Sequence, residues 1–146
     1  MATATSTERS PSSWSTWDPW EKTRLRWKLQ ARPNQLTPEG DWLVWLILSG
    51  RGWGKTRTGA EWLAYQAARH DATRWAVIAP TYSDARDTCV EGDSGLLTIL
   101  NRYRMVKNWN RSLGELVLTN DSRIKLFSAE EPERLRGPQH LSLIHI

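Results

Sequence analysis

The residue pattern with the clearest chemistry lies at residues 49–56, which read SGRGWGKT. A loop that binds phosphate must point backbone N–H groups at an anion, and glycines allow the tight and left-handed turns that this requires. Gly50, Gly52 and Gly54 provide these turns at alternate positions of the segment. The segment therefore predicts a phosphate-binding loop.

The two residues that close the segment supply a positive charge and a metal ligand. Lys55 can reach the β- and γ-phosphates of a nucleotide, and the hydroxyl of Thr56 can bind Mg²⁺. A helix that begins here directs its dipole at the phosphates. The usual pattern G-x-x-x-x-G-K-[ST] fails at one position, because Ser49 stands where the first glycine belongs. We expect a site for ATP and Mg²⁺; the alternative, an ordinary glycine-rich turn, does not explain why Lys-Thr opens the helix.

The elements around the loop predict how it is positioned. Residues 42–48 are continuously apolar, as in a strand buried on both faces of a parallel sheet. Apolar residues then recur at helical spacing through about His70, and 75–79 form a second short apolar run. Strand, helix and strand make a βαβ unit. The predicted fold class is α/β: a P-loop NTPase with a mostly parallel sheet flanked by helices.

Weaker patterns predict the remaining elements. The helices are expected from Pro19 to about Arg32, over 81–89 and over 95–100, and the strands over 104–106, 115–119 and 123–127, the last two joined by a turn at 120–122.

Composition restricts the class of protein. The chain has 146 residues, 39% of them hydrophobic, and a mean hydropathy of −0.60. Its longest apolar run is too short for a membrane span, so we expect no membrane association. Cys89 is the single cysteine, which excludes an internal disulfide and fits a reducing cytosol, and we expect it to be buried or half-buried. Residues 1–17, mostly Ser, Thr and Ala, predict a disordered leader.

Four segments together resemble the large terminase subunit of tailed bacteriophages, the ATPase motor that packages DNA. They are 35–42 (QLTPEGDW), 50–62 (GRGWGKTRTGAEW), 79–87 (APTYSDARD) and 128–139 (SAEEPERLRGPQ). The resemblance extends over residues 18–140, which are therefore expected to be the N-terminal part of a P-loop ATPase domain.

This resemblance implies roles for individual residues. The nucleotide would be bound by Gln35, Gly50, Arg51, Gly52, Trp53, Gly54, Lys55 and Thr56. Arg51 would sense phosphate, with an ordinary surface arginine as the alternative. Gln35 would contact the adenine edge, with an ordinary loop glutamine as the alternative. Catalysis would involve Lys55 and Arg136; Arg136 would act on the nucleotide of a neighbouring subunit, with a structural arginine as the alternative.

The resemblance also implies partners. They are double-stranded DNA, the portal protein, the small terminase subunit and further copies of the same chain in a ring. ATP hydrolysis would drive translocation of the DNA into the procapsid, in the cytoplasm of the bacterial host cell. The alternatives are a nucleotide-binding fragment without turnover and a helicase-like P-loop motor.

The end of the sequence departs from the expected pattern. A strand ending in Asp-Glu, which would hold Mg²⁺ and activate water, is expected about ten residues beyond Arg136, and residues 141–146 (LSLIHI) do not supply it. These six residues are also the in-frame translation of CTG TCT CTT ATA CAC ATC, the end of a transposon adapter used in sequencing libraries. We therefore expect 141–146 to be a non-native tail and the nuclease domain of the full-length relatives to be missing. The alternative is a genuine short strand.

Overall fold

The computed structural model describes residues 16–136, 139–140 and 142–145. The expected disordered leader, 1–17, lies outside the described residues except for its last two positions. Among the helices of the described ranges, none has the length and apolarity needed to cross a membrane.

Short helices and strands follow one another along the chain. The helices are α1 (Pro19–Gln30), α2 (Lys55–Arg69), the single turn α3 (Tyr82–Asp84), which continues as a π-helix (Ala85–Val90), and α4 (Leu96–Asn101). Two 3₁₀ turns cover Pro33–Gln35 and Pro132–Leu135. The strands are β1 (Arg74–Ala79), β2 (Val106–Asn110), β3 (Glu115–Leu118), β4 (Arg123–Ser128) and β5 (Ser142–His145).

The strands form one mixed sheet in the order β2-β3-β4-β1-β5. β1 pairs in parallel with β4 and β5, whereas the β2–β3 and β3–β4 pairs are antiparallel. The prediction of a mostly parallel sheet is therefore wrong. Its physical reason is the length of the connections: β2, β3 and β4 are joined by tight turns, and a tight turn can join only antiparallel neighbours.

β1 lies in the middle of the hydrophobic core and is buried on both faces. Val77 and Ala79 point into the main core, which also contains the apolar faces of α2 and α4. Ala76 and Ile78 point to the opposite face and pack with Phe127. This alternation follows from the two-residue period of a strand. The prediction of a buried strand at 75–79 is confirmed.

The helix that follows the glycine-rich segment is confirmed. The residues predicted to form its apolar face are all buried: Ala60, Leu63, Ala64 and Ala67. This face packs on the sheet, and the packing fixes the position of the first turn of α2, where the glycine-rich segment ends.

Residues 42–48, predicted to be a buried strand, form no strand in the structure. Trp42 stacks near Trp62 of α2, with ring centroids 6.0 Å apart, but Leu43 is 97% exposed and Leu48 84% exposed. Apolar side chains alone do not make a strand, since its peptide groups need a neighbouring strand for their hydrogen bonds. In the described part of the chain no strand lies beside 42–48.

Two other predicted elements differ from the structure. The helix expected over 81–89 is one α-helical turn followed by a π-helix, and its buried residues are Ala85, Cys89 and Val90. The strand expected over 104–106 begins only at Val106, because Arg104 adopts a left-handed conformation (φ 54°). The helix at 95–100 and the strands at 115–119 and 123–127 are confirmed.

The end of the chain forms the edge strand β5, in register with β1 from Trp75 to Ile78. Ile144 packs against the main core. Backbone pairing does not test where a sequence comes from, so the origin of 141–146 as adapter sequence stays a prediction.

The C-terminal end of α2 is held by the turn between β3 and β4. The side-chain amide of Asn120 donates to the carbonyl oxygens of Ala67 (2.8 Å) and Ala68 (3.1 Å), which have no partner within the helix. The buried Ser122 donates to the carbonyl oxygen of His70 and accepts from the backbone N–H of Thr73 at 3.2 Å. One turn thus links the helix to the start of β1.

We predict that Asn120→Asp lowers the free energy of unfolding by about 1–3 kcal/mol, because a carboxylate cannot donate to these carbonyls and places a negative charge at a helix C-terminus. Urea unfolding followed by circular dichroism measures the change. Asn108→Asp, on the exposed face of β2, is the matched control and should change stability little. Equal effects of the two substitutions would contradict the role of Asn120.

Candidate nucleotide-binding site

A cleft of about 590 Å³ lies between the glycine-rich segment and the π-helix. One wall consists of the segment and the first turn of α2. The other consists of the π-helix and the turn that follows it. The residues that line the cleft are Arg51, Gly52, Gly54, Lys55, Thr56, Arg57, Asp87, Thr88, Gly92, Asp93 and Ser94. The structure therefore brings most of the predicted loop residues together around one space.

The glycine-rich segment has the backbone geometry expected of an anion-binding loop. Gly52 and Gly54 have positive φ angles of 80° and 94°, which residues with a Cβ rarely adopt. Gly54 is the N-cap residue of α2, and its carbonyl oxygen accepts from the N–H of Thr58 at 2.9 Å. The N–H groups of the first helical turn precede any intrahelical acceptor, so they are free to bind a ligand in the cleft.

The ammonium group of Lys55 lies over the start of the loop. Its Nζ donates to the carbonyl oxygens of Ser49 and Gly50, both at 2.9 Å, and lies 3.4 Å from the hydroxyl oxygen of Ser49. All three partners are neutral. Only the 3.4 Å contact to the hydroxyl depends on Ser49, the one departure from the usual motif, because a glycine there would offer the same carbonyl oxygen.

Arg57 was missed by sequence reasoning, although it lines the cleft. Its Nε donates to Oε1 of Glu61 at 2.8 Å, one helical turn further along α2. Glu61 is only 3% exposed; burial raises its pKa, and the charge and hydrogen bond of Arg57 oppose that rise. The i, i+4 spacing of Arg and Glu in a predicted helix is the signal that would have found this pair.

The second wall was also missed. The π-helix buries Cys89 and Val90 and turns Asp87 and Thr88 towards the cleft. A hydrogen bond from Arg86 to Asp87 (2.6 Å) lowers the pKa of that carboxyl, so Asp87 carries a negative charge. No simple sequence period predicts a π-helix, in which the backbone hydrogen bonds join residues five apart and which is rare.

Contacts with the β2–β3 turn support this wall from behind. The side chain of Arg111 contacts Asp87 (3.6 Å) and Glu91 (2.9 Å). The hydroxyl of Tyr82 donates to the carbonyl oxygen of Arg111 at 2.9 Å. A Cβ at Gly114 would lie 2.5 Å from the hydroxyl oxygen of Tyr82, so only glycine allows the ring to approach this closely. Tyr82 therefore packs on the β2–β3 turn and helps to hold the second wall in place.

Four of the predicted site residues do not line the cleft. Gly50 is one of them, although its carbonyl oxygen accepts from Lys55. The side chain of Trp53 lies outside it, with its ring 5.7 Å from the guanidinium of Arg32. Gln35 is buried, and its amide is bonded to Arg32 and to the backbone of Trp53. Arg136 is 80% exposed and pairs with Glu133 at 3.0 Å.

The ranges that the structure describes contain no group of three or more His, Cys, Asp or Glu residues that could by itself hold a metal ion. Thr56 lines the cleft and can offer its hydroxyl oxygen to a cation there. His140, near the end of the described chain, packs edge-on against Phe127, and burial lowers its pKa.

Comparison with known proteins gives two findings. The sequence profile of the family described as terminase large subunit, T4likevirus-type, N-terminal, matches residues 46–144, more than half of the chain. The ATPase domain of the large terminase of Thermus phage P74-26 has a similar structure, with a TM-score of 0.52 at 19% sequence identity; the match covers 66% of this chain and 44% of that one. This chain thus spans less than half of the solved chain, and at this identity the likeness shows the fold alone. No curated protein sequence matches the chain.

The environment of Cys89 leads to a prediction about the second wall. Burial raises the pKa of this thiol to about 11, so at pH 8 only about one molecule in a thousand carries the thiolate. We expect the native protein to react with a thiol reagent such as dithionitrobenzoate much more slowly than the urea-unfolded protein. Rapid, complete labelling of the native protein would show that the π-helix opens readily or does not pack as described.

Proposed function

Because the chain belongs to the T4likevirus-type large terminase subunit family, we propose that the cleft at the start of α2 binds ATP with Mg²⁺. We further propose that the full-length protein hydrolyses this ATP to move double-stranded DNA into a phage procapsid. The partners in this proposal are the portal protein, the small terminase subunit and further copies of the same chain arranged as a ring.

The observation that carries the proposal is the placement of Lys55. Its ammonium group lies beside a loop with two left-handed glycines, at the N-terminus of a 15-residue helix, and on the wall of an open cleft. A cation, free backbone N–H groups and the positive end of a helix dipole together favour an anion such as a phosphate. Arg51 and Arg57 on the same wall add positive charge.

Each residue of the loop has a defined part in this proposal. A bound phosphate competes with the carbonyl oxygens of Ser49 and Gly50 for the N–H donors of Lys55. The backbone N–H groups around Gly54 bind the same phosphate, and the hydroxyl of Thr56 contributes to the shell of Mg²⁺. Magnesium neutralises the phosphates and orients them for transfer.

Hydrolysis needs groups that activate water and stabilise the transferring phosphoryl group. The acids that line the cleft are Asp87, which is held by arginines, and the exposed Asp93. Neither follows directly on a buried strand. We therefore expect this chain to bind nucleotide without turning it over. Arg136 is proposed to act on the nucleotide of a neighbouring subunit, which requires a surface position such as the one that it has.

We predict that Lys55→Ala weakens the binding of Mg·ATP by about 10- to 100-fold, the usual effect of losing one charged hydrogen-bond donor. Isothermal titration calorimetry measures the affinity. Lys125→Ala, at an exposed position of β4, removes the same charge away from the cleft and should leave the affinity unchanged.

An assay of phosphate release with the same variants separates binding from turnover. The proposal expects binding without release of phosphate by this chain. Release that Lys55→Ala abolishes would show that the chain already contains the catalytic acid. Equal affinities of Lys55→Ala and the unchanged protein would overturn the assignment of the site.

A further inference from the structure

Two side chains from the segment before the glycine-rich loop converge on one backbone oxygen of that loop. The amide nitrogen of Gln35 donates to the carbonyl oxygen of Trp53 at 3.0 Å, and a guanidinium N–H of Arg32 donates to the same oxygen. The two side chains also hold each other, because the amide oxygen of Gln35 accepts from the backbone N–H (3.0 Å) and from Nε (3.4 Å) of Arg32.

This carbonyl determines where the next N–H points. The peptide bond between Trp53 and Gly54 is trans, so its C=O and its N–H lie in one plane and point in opposite directions. Gly54 lines the cleft, whereas Trp53 does not. Holding the carbonyl of Trp53 on the outer side of the loop therefore keeps the N–H of Gly54 turned inward, towards the phosphate position.

Packing reinforces these hydrogen bonds. A Cβ at Gly54 would lie 2.9 Å from the amide nitrogen of Gln35, so Gln35 packs directly against the backbone of the loop. The guanidinium of Arg32 lies over the ring of Trp53, with 5.7 Å between the guanidinium carbon and the ring centroid, a geometry in which cation and ring attract each other. Three kinds of contact thus hold one peptide group from outside the cleft.

We propose that Arg32 and Gln35 are positioning residues, which hold the Trp53–Gly54 peptide in the orientation that binds phosphate before any nucleotide arrives. The inference rests on the proposed function of the cleft. It gives Gln35 a role different from contact with adenine: Gln35 is 7% exposed, and both ends of its amide are already bonded within the protein. The pre-formed loop loses less conformational entropy on binding.

The two roles of Gln35 predict different patterns of affinity. We would titrate the whole chain, the Gln35→Met variant and the Arg32→Leu variant with ATP, GTP and inorganic tripolyphosphate, each with Mg²⁺. If the two residues position the loop, each substitution lowers the affinity for all three ligands by the same factor, about tenfold for one lost hydrogen bond to the loop. If Gln35 instead contacts adenine, Gln35→Met lowers the affinity for ATP alone. The exposed Gln30→Met is the matched control and should bind all three as the unchanged protein does.

Amide hydrogen exchange without nucleotide tests the same contacts independently of binding. We expect faster exchange at Thr58, whose N–H bonds to the carbonyl oxygen of Gly54, in both variants, and unchanged exchange in the centre of α2 and in β1. Because both residues hold the same carbonyl, the effects of the two substitutions in the double variant should not add. Faster exchange throughout the protein would show a general loss of stability instead and would overturn the inference.

The outcomes separate this inference from the proposed function. If the unchanged protein binds none of the three ligands, the proposed function fails, and the exchange of the Thr58 N–H still decides whether the two side chains hold the loop. The positioning role is wrong if the unchanged protein binds the ligands and both variants bind them with the same affinity. It is also wrong if the variants lose affinity for ATP alone. In either case the assignment of the binding site stands.

Discussion

The packing of α2 into the main core is the interaction on which the site depends. Ala64 and Ala67 of α2 are fully buried in the same cluster as Trp75 and Val77 of β1. At one end of α2, Asn120 and Ser122 hold the last carbonyls in place. At the other end, the first turn presents its N–H groups to the cleft. A helix that is fixed along its length and at its C-terminus has little freedom to move its N-terminus. The glycine-rich segment ends at that N-terminus, so the fixed helix also limits the conformations of the segment.

Residues 42–48 show the limit of reading structure from a hydrophobic pattern. The run predicts burial, but only two of its seven residues, Trp45 and Ile47, are even partly buried. They alternate with the exposed Leu46 and Leu48. This alternation is the period of an extended chain with one covered face. Strand formation further requires a partner for every second peptide group, and that partner comes from a distant part of a sequence. The local pattern predicts that the segment is extended, but it does not predict which strand the segment would pair with.

The same distinction explains which elements the sequence predicts. α2 carries a helical period, β1 is a short apolar run, and β3 and β4 alternate in part; all four were predicted close to their observed bounds. The direction of β4 relative to β1, and hence the mixed sheet, depends on which strands become neighbours. The glycine-rich loop was predicted because its chemistry requires glycine, lysine and threonine at fixed spacing. The opposite wall was not, because Asp87 and Thr88 reach the cleft only through the π-helix.

The charged side chains that line the cleft differ in whether they already pair with a group of opposite charge. Arg57 is paired with the buried carboxyl of Glu61, and Asp87 is paired with Arg86. Lys55 contacts only neutral oxygens of Ser49 and Gly50, and none of its bonds among the described residues goes to an acid. The phosphate proposed for the cleft would replace neutral acceptors at Lys55 by a charged one, whereas at Arg57 it would compete with a carboxylate at 2.8 Å. Charge-assisted bonds are roughly twice as strong as neutral ones, so the gain in binding free energy would be larger at Lys55. The ion pairs around it therefore serve mainly to fix the walls of the site.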